Sequence, residues 1–199
     1  RFNTPNNTFI ELDETVTGTV AIGLDRALYG NLGVRIPATG ISTIHVAHPD
    51  AILDLSGTGD GFTGRGGVHA GSTELADDLA YLRKTGPGTL DLRIEDPQGN
   101  RTRSLIIEGG TVITSKNADL GWLPTSFAPD HVILNGGTLH LDGFTSNSGT
   151  TRGFQIGNAG GTFHMTSQNH GISGVISDIP GHQGTVYKSG DTILRFGAS

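Results

Sequence analysis

A Gly-Gly-Thr run occurs three times in the chain, each time followed by alternating apolar residues, and no other feature constrains the fold as strongly. The runs are SLIIEGGTVITS (Ser104 to Ser115), VILNGGTLHLDG (Val132 to Gly143) and NAGGTFHMTS (Asn158 to Ser167). Their glycine pairs begin at positions 109, 136 and 160, intervals of 27 and 24 residues. A strand recurring at one phase of a period in the twenties marks a solenoid, in which each coil buries its inner face only by stacking on the next. Neighbouring coils then align rung on rung, about 4.8 Å apart.

The residues after each glycine pair set the phase. Val112, Leu139 and Phe163 stack inward, as do Thr114, Leu141 and Met165 two residues later, while Ile113, His140 and His164 point out. Before the glycines, Leu105 and Ile107 match Val132 and Leu134, and match Phe154 and Ile156 once Gly157-Asn158 is taken as a two-residue insertion. Inward positions that are apolar at period two are what a parallel β-helix demands. The glycines supply the sharp turn between strands, because Gly reaches positive φ without steric cost.

A longer repeat frames these runs. LRKTGPGTLDL (Leu82 to Leu92) returns as VYKSGDTILRF (Val186 to Phe196), 104 residues on, or about four coils. Leu82, Leu90 and Leu92 are then expected to match Val186, Leu194 and Phe196 in the core. Lys84-Thr85-Gly86 and Lys188-Ser189-Gly190 mark one corner of a coil, and Asp91 and Arg195 stand exposed at matching places. Their opposite charges argue for a structural period and against a repeated active site.

Residues 1 to 81 are less regular. Phe9 to Leu12, Val16 to Val20, Val34 to Pro37, Ile41 to Val46 and Asp50 to Ser56 alternate or extend as short strands. Leu24 to Gly33 can form one helical turn, and Gly57 to Gly67 reads as a long Gly-rich turn. Gly57 to Gly61 carries a single fragment like a calcium-binding nonapeptide, where such sites need tandem copies. STELADDLAY (Ser72 to Tyr81) is the best helical candidate, with Ser72 as N-cap. From Leu82 onward the chain reads as strand, turn, strand. The expectation is one all-β domain over residues 1–199, a right-handed single-stranded parallel β-helix of about eight coils at roughly 25 residues each.

The residues resemble the autotransporter-associated β-strand repeat, found in bacterial autotransporter passengers and in very large surface proteins. Gly160 to Met165 is similar to its Gly-Gly-Thr strand, Ile172 to Ser177 to its Ile-Ser-Gly turn, and Val186 to Leu194 to its Leu-x-Lys-x-Gly-x-Gly-Thr-Leu part. Lys84 to Leu90 fits that last part more closely. Thr192 and Asp178 stand where the motif usually has Gly. The resemblance covers residues 82 to 199 well and residues 1 to 81 poorly. It implies an exported, β-helical, extracellular or cell-surface protein, and it brings no catalytic residues to carry over.

Composition narrows the partners. A net charge of -6 with 13 scattered basic residues leaves no nucleic-acid footprint. No apolar run approaches the ~20 residues needed to cross a bilayer, so no membrane insertion by this segment is expected. The absence of cysteine excludes disulfides, Cys-based zinc sites and thiol catalysis. The chain opens at Arg1 without Met or a leader pattern, which reads as a mature product or an excerpt of a longer polypeptide.

Catalysis on a β-helix would need two or three carboxylates close together on adjacent rungs. The outward candidates are Asp54, Asp91, Glu108 and Asp142, with Glu95 and Asp96 in a loop, and no two are expected at one phase of neighbouring coils. His140 and His164 share a phase, but Ile113 takes the third place in that column. A solvated His ladder is therefore the plainer reading than a metal site. His45, His48, His69, His131, His170 and His182 show no ligand spacing, and no cofactor is expected. Trp122 and Phe127, in the loop GWLPTSFAP, are the candidates for glycan or partner contact; the alternative is an aromatic plug over a coil edge. The expected role is a structural or adhesive module: a spacer, stalk or fibre block that continues a longer solenoid, stacks end to end, or meets a host or glycan surface. The competing role is a polysaccharide lyase, a hydrolase or a carbohydrate-binding module on the same fold.

Overall fold

The structure is a computed structural model that describes residues 10–12, 18–21, 34–37, 39–55, 68–70, 79–94, 100–143, 150–167 and 170–197. In chain order its strands are β1 (Ile10–Leu12), β2 (Gly18–Ala21), β3 (Val34–Ile36), β4 (Thr39–Val46), β5 (Ala51–Asp54), β6 (Val68–Ala70), β7 (Leu79–Thr85), β8 (Thr89–Asp91) and β9 (Ser104–Ile107). They continue as β10 (Thr111–Thr114), β11 (Ala128–Leu134), β12 (Thr138–Leu141), β13 (Arg152–Ile156), β14 (Gly161–Met165), β15 (His170–Ile172), β16 (Ile176–Asp178), β17 (Val186–Ser189) and β18 (Leu194–Phe196). The fold is a β-solenoid of stacked coils. The first sheet runs β1-β4-β7-β9-β11-β13-β16 and the second β2-β5-β8-β10-β12-β14-β17, with every neighbouring pair parallel. Against an expected eight coils, each sheet holds seven strands among the described residues.

A third face carries the pairs β3-β6 and β15-β18. Between them it is continued by single backbone bonds, Arg101 N to Val68 O at 2.8 Å and Trp122 N to Thr102 O at 3.1 Å. Wherever the intervening residues are described, the chain visits the first sheet, the second sheet and the third face in the same order, which is why non-adjacent strands pair.

The register follows the Gly-Gly-Thr phase. Val112 pairs with Leu139 and Leu139 with Phe163; Leu105 pairs with Val132 and Val132 with Phe154. All are buried, and Phe154 meets Phe163 edge to face at 5.8 Å, closing the core between the two sheets. Each such side chain contributes about 1.5–3 kcal/mol by leaving water. Leu134 pairs with Ile156 and Thr138 with Thr162, so five residues (157–161) separate the pairs on one coil against three (135–137) on the other, as the inserted Gly157-Asn158 requires. Gly110 has φ 60°, and a Cβ there would lie 2.1 Å from Gly88 O on the preceding coil. Only glycine fits this corner.

Three expectations are corrected. The helical candidate ending at Tyr81 closes as strand, because Leu79, Ala80 and Tyr81 pair with Thr39, Gly40 and Ile41 of β4; residues 71–78 lie outside the described residues. The stretch after Leu82 is not strand and turn alone: Asn117–Leu120 forms a 3-10 helix. The 104-residue repeat does not return to one face either. Lys84 lies in β7 of the first sheet and Lys188 in β17 of the second, while Asp91 lies in β8 of the second sheet and Arg195 in β18 of the third face. Connections of unequal length between strands make 104 residues a non-integral number of coils.

Leu82, Leu90 and Leu92 are fully buried, but Val186 is 39% and Phe196 56% exposed. The strands β16, β17 and β18 have a paired neighbour on one side only, so side chains at inward phases there lack the rung that would cover them. The helical turn at residues 24–33, the Gly57 to Gly61 fragment, Glu95 and Asp96 lie outside the described residues.

Candidate functional site

The outer face of the second sheet carries two register columns of outward side chains. Thr89, Thr111, Thr138 and Thr162 form one continuous ladder of register partners. Two residues on, a second column runs Asp54, Asp91, Ile113, His140, His164, Ser189. Both columns face out because Leu53, Leu90, Val112, Leu139 and Phe163 take the alternate positions inward.

Asp54 and Asp91 are direct partners on adjacent rungs, which overturns the expectation that no two carboxylates share a phase. The phase of β5 is invisible in the sequence because Asp50 to Ser56 has no Gly-Gly-Thr run to align it. Asp91 is 4% exposed. The Arg93 guanidinium forks onto it, Nε to Oδ1 at 3.0 Å and Nη2 to Oδ2 at 2.6 Å, and Arg93 Nη1 reaches Asp142 Oδ2 at 2.5 Å. The hydrogen bond to Asp91 is the main reason the Arg93 pKa is raised. Both oxygens of Asp91 are thus engaged, and it cannot take a substrate proton without breaking the fork.

His140 and His164 stand on neighbouring rungs with ring centroids 4.6 Å apart and planes at 78°. His140 Nε2 meets Thr166 Oγ1 at 3.1 Å, and His164 Nδ1 meets Ser189 Oγ at 2.8 Å. Burial, then the neighbouring His164, lowers the His140 pKa. Among the described residues no group of three or more His, Asp or Glu side chains is placed to hold a metal ion.

The outside of the first sheet carries separate clusters. Arg103 binds Asp130 and the Tyr81 hydroxyl, with its guanidinium over the Tyr81 ring, and Arg83 lies 3.5 Å from Glu108. His45 Nδ1 meets Thr85 Oγ1 at 2.9 Å, and His48 Nδ1 accepts from the Asp50 backbone N–H. His170 is buried, His182 Nδ1 accepts from Asn158 N–H, and His69 lies in β6.

Trp122 is half-buried under the Arg101 guanidinium, 5.7 Å from its ring, and its Nε1 is buried without a partner. Phe127 is 49% exposed beside Leu123 at 52%. The loop thus offers Phe127 to solvent and keeps the indole partly covered.

Four polar groups inside the solenoid escaped sequence reading. Lys84 interrupts the inward column Ile44, Lys84, Ile107, Leu134, Ile156, and its ammonium donates to Thr85 O and Gly86 O at 2.8 Å and to Gly109 O at 3.1 Å. Burial lowers its pKa to about 8. Its two-residue spacing from Leu82 was the available signal. Arg152, fully buried, donates to Asn117 Oδ1 and to the carbonyls of Asn117, Leu120 and Gly121, and burial lowers its pKa to about 9. Asp119 accepts the backbone N–H groups of Ile94, Ser115 and Lys116, fixing the 3-10 turn, while burial raises its pKa. His131 is held neutral by burial, with its pKa lowered to about 2, and the nearby Arg152 charge adds to the effect.

No helix among the described residues is long and apolar enough to cross a membrane. The chain matches no family model, no curated protein and no solved structure.

Proposed function

We propose that the chain is a structural and adhesive β-solenoid module of a bacterial secreted or cell-surface protein, a spacer, stalk or fibre block without catalytic activity. The winding is taken as right-handed, the hand of about 98% of parallel crossovers in a sheet, and the repeats as those of the autotransporter-associated family they resemble. The observation that carries this reading is the commitment of outward charges to one another across rungs: Arg93 with Asp142, Arg103 with Asp130, Arg83 with Glu108. Such pairs bind coil to coil. The exposed rung β16-β17-β18 fits a role in which a further coil or a second copy stacks on it.

The second reading, a polysaccharide-active or polysaccharide-binding β-helix, rests on the Asp54-Asp91 register pair, two carboxylates on adjacent rungs as glycoside hydrolysis requires, with Asp91 available only once its Arg93 fork opens. A screen of acidic and neutral polysaccharides separates the two. The structural reading expects no cleavage, and cleavage lost in Asp54→Asn or Asp142→Asn would overturn it. Glycan-array binding lost in Trp122→Ala or Phe127→Ala would instead establish a carbohydrate-binding module.

A further inference from the structure

We propose that His140 and His164 form a two-imidazole site for a first-row divalent transition metal on the outer face of the second sheet. The two residues are register partners in β12 and β14, so their backbones are held about 4.8 Å apart by the sheet itself. Both side chains are half-exposed at outward phases. Their ring centroids lie 4.6 Å apart. Two imidazoles on one tetrahedral ion, at metal–nitrogen distances of about 2.0–2.1 Å, keep their centroids roughly 5 Å apart. The pair therefore already has the separation that chelation requires, and the 78° between ring planes keeps the rings from stacking face to face.

Each ring is also steadied by a hydroxyl on the next stretch of chain, Thr166 Oγ1 for His140 and Ser189 Oγ for His164. A hydrogen bond at one ring nitrogen is the usual device for orienting a histidine whose other nitrogen binds metal. Nδ1 of His140 and Nε2 of His164 lie outside these two bonds, one nitrogen per ring. Imidazole nitrogens suit Cu, Ni and Zn and discriminate against Mg and Ca. Water would complete the coordination, and the Asp142 carboxylate, two residues from His140 and 30% exposed, adds negative charge beside the site while held by Arg93. A bound ion would clamp the coils of β12 and β14 together.

The test adds Cu²⁺, Ni²⁺ or Zn²⁺ separately to the full chain at neutral pH and follows binding by calorimetry, with the Cu²⁺ complex also examined by electron paramagnetic resonance. The expected result is one ion per chain and a Cu²⁺ spectrum with nitrogen splitting from two imidazoles. Binding should weaken at least about tenfold in His140→Asn and in His164→Asn. His45→Asn, whose ring lies on the first sheet against Thr85, should bind as the wild type does. No binding, a wild-type spectrum with fewer than two imidazole nitrogens, or unchanged affinity in either variant overturns the proposal. The spectrum is read on the wild type, so the result does not depend on the variants folding.

Discussion

Lys84→Met removes a charge from the solenoid interior while nearly keeping the side chain's length, and two opposing terms decide its effect. Lys84 is fully buried and its three ammonium hydrogens meet three carbonyl oxygens, two of its own corner and one, Gly109 O, of the next coil. Met leaves those three carbonyl oxygens without this donor, at about 1–3 kcal/mol each, so about 6 kcal/mol is lost. Burial lowers the pKa from 10.5 to about 8, so carrying the charge inside costs about 3 kcal/mol relative to the unfolded chain, at about 1.4 kcal/mol per unit. The variant escapes that cost. The net expectation near pH 7 is a loss of about 3 kcal/mol.

The pH dependence gives the sharper test. Between pH 8 and 10.5 the unfolded chain keeps the lysine proton and the folded chain has released it. The unfolded state thus binds more protons, and wild-type stability gains from this group as pH rises through the window. That contribution is complete above 10.5 and is lost as pH falls through about 8. Urea unfolding of both proteins from pH 7 to 11, taken as a difference, cancels the other lysines and tyrosines. The wild-type advantage should widen by about 3 kcal/mol across the window. A flat difference, or a Met variant more stable than wild type at pH 7, would refute the reasoning.

Three further outcomes follow from the geometry. Gly110→Ala places a Cβ 2.1 Å from Gly88 O at φ 60°, and should cost about 1–3 kcal/mol or more in thermal unfolding. Phe163→Ala empties the contact between Leu139 and Phe154 and should cost about 3–5 kcal/mol, read from the denaturant midpoint with an unchanged slope. Arg152→Lys replaces a planar fork bonded to four carbonyl oxygens by an ammonium with three donors; faster amide exchange over residues 117–121 should accompany the lost stability.

Legibility in the sequence depended on local repetition. Where Gly-Gly-Thr recurs, the turn fixes where each strand begins and period-two alternation fixes which side faces in, so the partners of Val112, Leu139 and Phe163, and the exposed neighbours His140 and His164, could be named from the chain alone. Where no glycine pair marks the start, the same alternation gives a strand without a phase, and the Asp54-Asp91 pairing went unseen. Leu79 to Tyr81 carry helix-compatible residues, yet β4 offers them a free parallel edge, and pairing outweighs propensity.

The sequence by itself determined that this is a stacked all-β solenoid and, where Gly-Gly-Thr recurs, which residues are register partners, because there the turn sets the phase and burial at period two admits one register. Only the tertiary structure decided which face each repeat occupies, since connection lengths accumulate along the chain: Lys84 enters the first sheet and becomes enclosed, while its copy Lys188 enters the second sheet on an exposed rung. It also decided the fate of the polar groups. Three carbonyl oxygens close in space make a buried ammonium tenable, two from its own corner and the third, Gly109 O, brought in by the stacking of the next coil.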